Sequence, residues 1–238
     1  MIIKRDDFNP KIIELFLNSN YLERKELYRY IQKIAPNFNG KILDLGCGTK
    51  PYEHLFKNSV KYVGLEINWG GANNADLFYD GKQFPFNDEE FDAMVSFQVI
   101  YQITNLEDIL EEINRVLKKD AKLLVSVPFI WFDGGANIQR RFSEQYSKFI
   151  FGKFGFEVLD IKQTNNNFSA LCLLTSKYID YSISKVENRY LRKILRVTQI
   201  VSINPLFNIL GELFLKLSSK DNELYIDSLI YARKIKNV

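Results

Sequence analysis

The chain reads as an α/β protein built on a mostly parallel sheet, and three observations lead there. Short apolar runs suited to fully covered strands alternate with helical periodicities between residues 40 and 160. One run, Lys41-Ile42-Leu43-Asp44-Leu45, passes straight into Gly46-Cys47-Gly48-Thr49-Lys50-Pro51, a turn that only small residues allow the backbone to make. A second run, Val63-Gly64-Leu65, ends in Glu66 about twenty residues further on, where a carboxylate can accept hydrogen bonds from vicinal ribose hydroxyls. Together they describe a strand, a tight loop and a second strand arranged to cradle a nucleotide-like cofactor.

The elements follow in order. Ile12, Leu15 and Phe16, then Leu22, Leu27, Ile31 and Ile34, recur at helical spacing until Pro36 closes the pattern, so helices fill residues 1–39. Strands are expected at 41–45, 60–66, about 75–78, 92–97 and 121–128, with helices near 51–57, 106–118 and 143–153. Phe156–Ile161 and Leu224–Ala232 alternate as strands. The cofactor-binding core is therefore 40–163 and the terminal strand lies in 223–238, while 164–222 is a helical insert that the minimal fold does not need.

Length and composition bound the function. A chain of 238 residues suits one α/β domain with an elaboration. A net charge of +3 with 26% charged residues argues against wholesale nucleic-acid binding, so any basic surface is local. Cys47 and Cys172 make no disulfide framework, and with His54 as the only histidine no metal-ligand spacing is present. The first residues lack the apolar segment of a signal peptide, so the protein is expected in the cytoplasm. No run of eighteen apolar residues occurs, so no membrane-spanning helix is expected, and Glu212 and Lys216 interrupt the most apolar segment. Arg189, Arg192, Lys193 and Arg196 share one helix face, with Leu191, Ile194, Leu195 and Thr198 opposite. Two readings stand: a solvated face over a core-facing stripe, or attraction to phosphate, either a diphosphate-linked glycan or headgroups on the inner face of the membrane touched peripherally by the insert.

A dinucleotide fingerprint needs a third glycine where Pro51 stands, which weakens NAD as the cofactor. The loop instead resembles motif I of the class I S-adenosylmethionine-dependent methyltransferases, an acid, a spacer and Gly-x-Gly, here Asp44, Gly46 and Gly48. Further matches follow in order: Val63-Gly64-Leu65-Glu66, then Ala75-Asp76-Leu77. After these come Phe84-Pro85-Phe86 with Glu90-Phe91-Asp92 and the strand to Gln98, and finally Ile109-Leu110-Glu111-Glu112-Ile113-Asn114-Arg115-Val116-Leu117-Lys118. The resemblance implies a Rossmann-like seven-stranded sheet with its last strand antiparallel and helices on both faces. It also implies S-adenosyl-L-methionine as cofactor. By the same resemblance Gly46 and Gly48 admit its methionine part, with Cys47 the small residue between them, Asp44 holds the amino end, Glu66 the ribose, Asp76 and Leu77 border the adenine, and Gln98 lines the methionine side.

On the acceptor side, Ser126-Val127-Pro128-Phe129-Ile130-Trp131 resembles a subgroup encoded with bacterial surface-polysaccharide genes. Its usual His-x-x-Pro-Tyr-Asp pattern is replaced: aligned on Arg141-Phe142-Ser143, Asp133 stands for the histidine, Ala136 for the proline and Ile138 for the aspartate. Tyr101-Gln102 likewise replaces a common Glu-His. Asp133 as base and Tyr101 as a phenol facing the acceptor are the catalytic candidates; a turn residue and a core-rim aromatic are their structural alternatives. Arg140 and Arg141 suit a phosphate or carboxylate acceptor. The expected function is O-methylation of a capsule or lipopolysaccharide precursor, or of its phosphate-bearing decoration, with the acceptor a sugar, a phosphate-bearing small molecule or a lipid-linked form. The alternatives are a quinone or lipid methyltransferase and a non-catalytic cofactor-binding scaffold.

Overall fold

In chain order the elements of the computed structural model, which describes residues 8–68, 74–132, 140–217 and 223–238, begin with helices α1 (Glu14–Leu17) and α2 (Tyr21–Ile34). Strands β1 (Gly40–Leu45), β2 (Ser59–Ile67), β3 (Leu77–Tyr79) and β4 (Phe91–Phe97) follow, then helix α3 (Leu106–Val116) and strand β5 (Leu117–Pro128). After them come α4 (Glu144–Lys153), β6 (Phe156–Gln163), α5 (Asn167–Ser184), α6 (Arg189–Thr198), α7 (Asn204–Leu217) and β7 (Asp227–Lys234). The chain forms two compact units, Met1–Arg29 with Gln163–Ile226, and Tyr30–Lys162 with Asp227–Val238.

The second unit is the sheet, seven strands in the order β3-β2-β1-β4-β5-β7-β6. Neighbours from β3 to β5 are parallel, and β7 lies antiparallel to β5. On one face Leu43, Leu45, Val63, Leu65, Met94 and Val125 form one buried cluster with Ile109, Leu110 and Ile113 of α3 and Phe151 of α4. The spacing of Leu106, Ile109, Leu110 and Ile113 makes α3 amphipathic, and each such side chain taken from water contributes roughly 1.5–3 kcal/mol. Aromatic side chains cover the other face: Phe38 meets Phe56 at 5.6 Å and Tyr231 at 6.0 Å, and Phe56 meets Tyr62 at 5.6 Å.

The strand order places a topological switch between β1 and β4. From β1 the chain goes on to β2 on one side, while β4 leads to β5 on the other, so the loops leaving their carboxyl ends diverge and open a crevice.

Several expectations need correction. The segment 51–57 is a single 3₁₀ turn, Glu53–Leu55, because Tyr52 and Phe56 are both drawn into the core on either side of it. Strand β5 begins at Leu117, directly after α3, and the last strand begins at Asp227. Leu224 and Ile226 instead donate their N–H groups to Asn167 Oδ1 at 2.8 Å and to the Thr164 carbonyl at 3.1 Å, within the first unit.

In that unit α6 continues through a π-helical stretch, Gln199–Ile203, into α7. The result is one helical run, Arg189–Leu217, of 29 residues, long and apolar enough by length and composition to cross a membrane. Counting unbroken apolar residues misses it, because Asn204 and Asn208 interrupt the run in sequence but turn inward, donating to the carbonyls of Phe16 at 2.9 Å and Leu15 at 2.7 Å. The four cations do not form one open face either. Arg196 pairs with Asp180 of α5 and donates to Gln199 at 2.8 Å, and Arg192 reaches the Val186 carbonyl at 3.3 Å. Leu191 and Ile194, expected to face a core, are exposed.

Candidate functional site

The loop after β1 is built by backbone geometry. Gly46, Gly48 and Lys50 all have positive φ, at 71°, 49° and 54°. The two glycines serve different ends. A Cβ on Gly46 would lie 2.3 Å from a Val99 methyl, so the loops after β1 and β4 touch there and no side chain fits. A Cβ on Gly48 would meet nothing within 4 Å, so that glycine leaves open space over the loop. The left-handed Lys50, which costs on the order of 1 kcal/mol, is held by its N–H bond to the Cys47 carbonyl at 2.8 Å and by an ion pair of its Nζ with Asp76.

Parallel pairing of Asp44 with Gly64 puts Tyr62, Gly64 and Glu66 of β2 on the same face as Asp44. Asp44 is buried and accepts a hydrogen bond from the Tyr62 hydroxyl at 2.8 Å. Burial pushes its carboxyl up to about 7, against the opposing pull of the Tyr62 bond and of Lys50. Burial likewise pushes the Cys47 thiol up to about 12, with Asp44 adding to it, so Cys47 is a protonated small side chain packed on β2. A Cβ on Gly64 would lie 2.6 Å from the Cys47 sulfur, which explains the glycine in mid-strand. Glu66, at the end of β2, accepts the Gly48 N–H at 3.0 Å on one oxygen and the Ile67 N–H at 3.0 Å on the other, so its carboxylate is oriented by the loop it borders.

Asp76 immediately precedes β3. Its carboxylate accepts the Gly64 N–H at 2.7 Å and pairs with Lys50; although burial raises it, these contacts outweigh burial and hold it below the usual carboxylate range. It thus braces the loop against β2. Leu77 opens the edge strand β3 and is exposed. Gln98 opens the loop after β4 at φ 60°, its N–H directed to Ser126 and its side-chain Nε2 donating to Asp227 at 3.0 Å.

The acceptor-side candidates divide. Tyr101 lies in a 3₁₀ turn, packs on the core and accepts the Arg140 N–H at 2.9 Å on its carbonyl. Arg140 donates to the carbonyls of Ile103 and of Thr104, the latter at 2.9 Å, and Arg141 donates to those of Trp131 at 3.2 Å and Phe132 at 3.3 Å. Both guanidiniums thus bind main-chain carbonyls, that of Arg140 in the turn after β4 and that of Arg141 just after the end of β5. Asp133 lies outside the described residues. His54 is exposed in the Glu53–Leu55 turn. Sequence reading missed Lys50, Tyr62, Gly64 and Asp227. Tyr62 and Gly64 could have been found by carrying the alternation back from Glu66 along the same strand.

Residues 20–161, more than half of the chain, match the family model described as a methyltransferase domain. The chain belongs to that family. Its domain is of the class I kind, whose cofactor is S-adenosylmethionine. Over 97 residues the chain is 32% identical to an uncharacterized protein of Methanocaldococcus jannaschii, a match covering 38% of each, so it spans about two fifths of that relative's length. Among solved structures, the [4+2]-cyclase SpnF superposes with a TM-score of 0.56 at 17% identity, over 87% of this chain and 82% of that one. An S-adenosylmethionine-dependent methyltransferase from Mesorhizobium loti does so with a TM-score of 0.52 at 12% identity, over 90% and 100%. At these identities the likeness establishes the fold, and a cyclase among the matches shows that one fold carries more than one chemistry. The donor set nevertheless fits S-adenosylmethionine: open space above Gly48, a buried acid able to meet an ammonium, and an oriented carboxylate for hydroxyls.

Proposed function

We propose that this chain is an S-adenosylmethionine-dependent O-methyltransferase acting on a bacterial surface-glycan precursor or its phosphate-bearing decoration. The observation that carries the cofactor half is the loop at the strand-order switch, open above Gly48 and bordered by Asp44 and Glu66. When bound, the cofactor supplies an electrophilic methyl on a sulfonium whose charge vanishes during an in-line displacement. The protein's part is to position and desolvate. Glu66 takes the ribose hydroxyls, Asp44 the amino end, Gly46 and Gly48 the methionine backbone; Leu77 offers an apolar edge to the base, and Asp76 acts through Lys50 and Gly64. Gln98 shapes the methionine side from a backbone pinned to Ser126 and Asp227. On the acceptor side, Arg140 and Arg141 tie the segment entering α4 to the turn after β4 and to Trp131 and Phe132, and Asp133 is the candidate base for a hydroxyl acceptor.

The acceptor half is supported by the resemblance of residues 126–131 and 141–143 to the polysaccharide-associated subgroup. Calorimetry with S-adenosylmethionine and with NAD tests the first half: binding of NAD alone overturns it. Transfer of a labelled methyl to charged sugar or phosphoryl acceptors tests the second. Transfer to quinone or lipid acceptors alone replaces the glycan reading, and tight cofactor binding without transfer to any acceptor replaces the enzyme with a scaffold.

A further inference from the structure

We infer that the outward face of the Arg189–Leu217 helix is a monotopic membrane surface, lying in the plane of an anionic bilayer with its apolar stripe among the acyl chains. The inference concerns the first unit alone and stands independently of methyl transfer.

The stripe is continuous because of the π-helical stretch. Tyr190, Ile194, Val197 and Val201 follow one another at steps of four, three and four, one face of an α-helix. Leu206, Ile209 and Leu213 repeat the pattern with steps of three and four. The step between the two sets is five, which in an uninterrupted α-helix would rotate the second set away from the first. That step spans the π-helical residues Gln199–Ile203, where the wider turn absorbs the extra residue and restores the alignment. These side chains are between 48% and 82% exposed. At 1.5 Å per residue the run is about 43 Å long, far more apolar surface than scattered exposed hydrophobics present.

The opposite face shows why the helix lies on a membrane and does not cross it. Asn204 and Asn208 donate to carbonyls of the α1 segment, Arg196 pairs with Asp180, Glu212 pairs with Lys25, and a Cβ on Gly211 would strike Leu22 at 2.3 Å. Pulling the helix into hydrocarbon would break every one of these polar contacts.

Charge decides the occupant. Residues 168–217 hold seven cations against three anions, a net +4 where the whole chain carries +3. That asymmetry attracts an anionic surface and repels a second copy of the same helix. Arg189 and Lys193 are exposed beside the stripe, placed to reach headgroups while their stems cover apolar surface. Tyr190 at the start of the run, with Tyr178 and Tyr181 exposed on α5, provides the amphipathic rings that sit at a membrane boundary.

The test is flotation with vesicles of phosphatidylcholine and phosphatidylglycerol, at low salt and at 0.5 M salt, of wild type, an I194E/V201E variant and an R189E/K193E variant. Wild type should float at both salts, since apolar insertion survives screening. I194E/V201E should lose at least tenfold in partitioning at both, and R189E/K193E should lose it mainly at low salt. S-adenosylmethionine affinity and thermal melting establish that the variants are folded. An I194W variant should show a blue-shifted emission quenched by lipids labelled high on the acyl chain, a readout that needs no charge reversal. Wild type that stays with the soluble fraction at both salts, or I194E/V201E that floats like wild type, overturns the inference. So does a lipid-free dimer that I194E/V201E dissolves, since the face would then join two copies. Loss of cofactor binding in wild type would sink the methyltransferase reading and leave this one standing.

Discussion

Lowering the pH should weaken S-adenosylmethionine binding through one residue, Asp44. Its carboxyl is buried, and burial outweighs the Tyr62 hydrogen bond and the Lys50 charge, lifting its pKa to about 7. An ammonium held beside it requires the ionised form. At pH 6 about one molecule in ten carries that form and at pH 8 about nine in ten, so affinity should fall about tenfold from pH 8 to pH 6. Binding at pH 6 should release close to one proton and at pH 8 about a tenth of one. Calorimetry in two buffers of different ionisation enthalpy measures both quantities. Stability of the free protein should move the other way. With the folded value above the unfolded 3.8, the native state holds the proton more tightly between about pH 4 and 7. This group's stabilisation is therefore complete at low pH and is lost as pH rises toward 7, by up to about 4 kcal/mol. Asp44→Asn should bind weakly and flatten both profiles. A wild-type affinity that does not change between pH 6 and 8, or a slope that survives in Asp44→Asn, refutes the reasoning.

The remaining predictions separate folding from ligand binding. Gly46→Ala should lower the melting temperature by several degrees because its methyl collides with Val99, whereas Gly48→Ala should cost about 1 kcal/mol of stability for its positive φ and more than tenfold in cofactor affinity, since its methyl enters the open space; equal effects on both readouts would contradict the assignment. Glu66→Ala should weaken the cofactor by about 1–3 kcal/mol, and unchanged affinity by calorimetry would move the ribose elsewhere. Arg140→Ala should destabilise the fold by about 1–3 kcal/mol, as two carbonyls lose a charged donor, with Arg140→Lys restoring little; a change in acceptor KM without any change in melting would restore the guanidinium to the substrate. Asp227→Ala should weaken cofactor binding a few-fold while Asp227→Asn, which keeps an acceptor for Gln98, should not.

What the sequence made legible is what is local. Asp44, Gly46, Gly48 and Glu66 stand within one strand-loop-strand unit, and their identities follow from the turn they make. Lys50 and Tyr62 lie in the same unit but matter only through pairing register, which a list of motifs does not supply. The helix expected at 51–57 does not form because Tyr52 and Phe56 look like helix-face residues in sequence and are both claimed by the sheet face that carries Asp44, with Tyr52 against Phe97 at 5.0 Å and Phe56 against Phe38. The role of the paired arginines is not legible in the sequence for a general reason. A guanidinium's five donors serve a main-chain carbonyl as well as a phosphate, and nothing in Gln139-Arg140-Arg141 tells the two apart.

The antiparallel last strand explains the reach of the site beyond its motif. In a parallel strand the carboxyl end borders the crevice; in β7 the amino end does, because Asp227 pairs opposite Pro128 at the end of β5. The first residue of β7 thereby arrives beside the loop after β4, where Gln98 holds a left-handed backbone that a non-glycine residue adopts at a cost of about 1 kcal/mol. Three bonds hold it there, two from its N–H to Ser126 and one from its side chain to Asp227. A parallel strand in that place would present its carboxyl end with no such residue at its start. Reversal of the strand and strain at Gln98 are thus one design: the strand that follows the insert supplies the partner that makes an unfavourable backbone tolerable on the methionine side of the crevice.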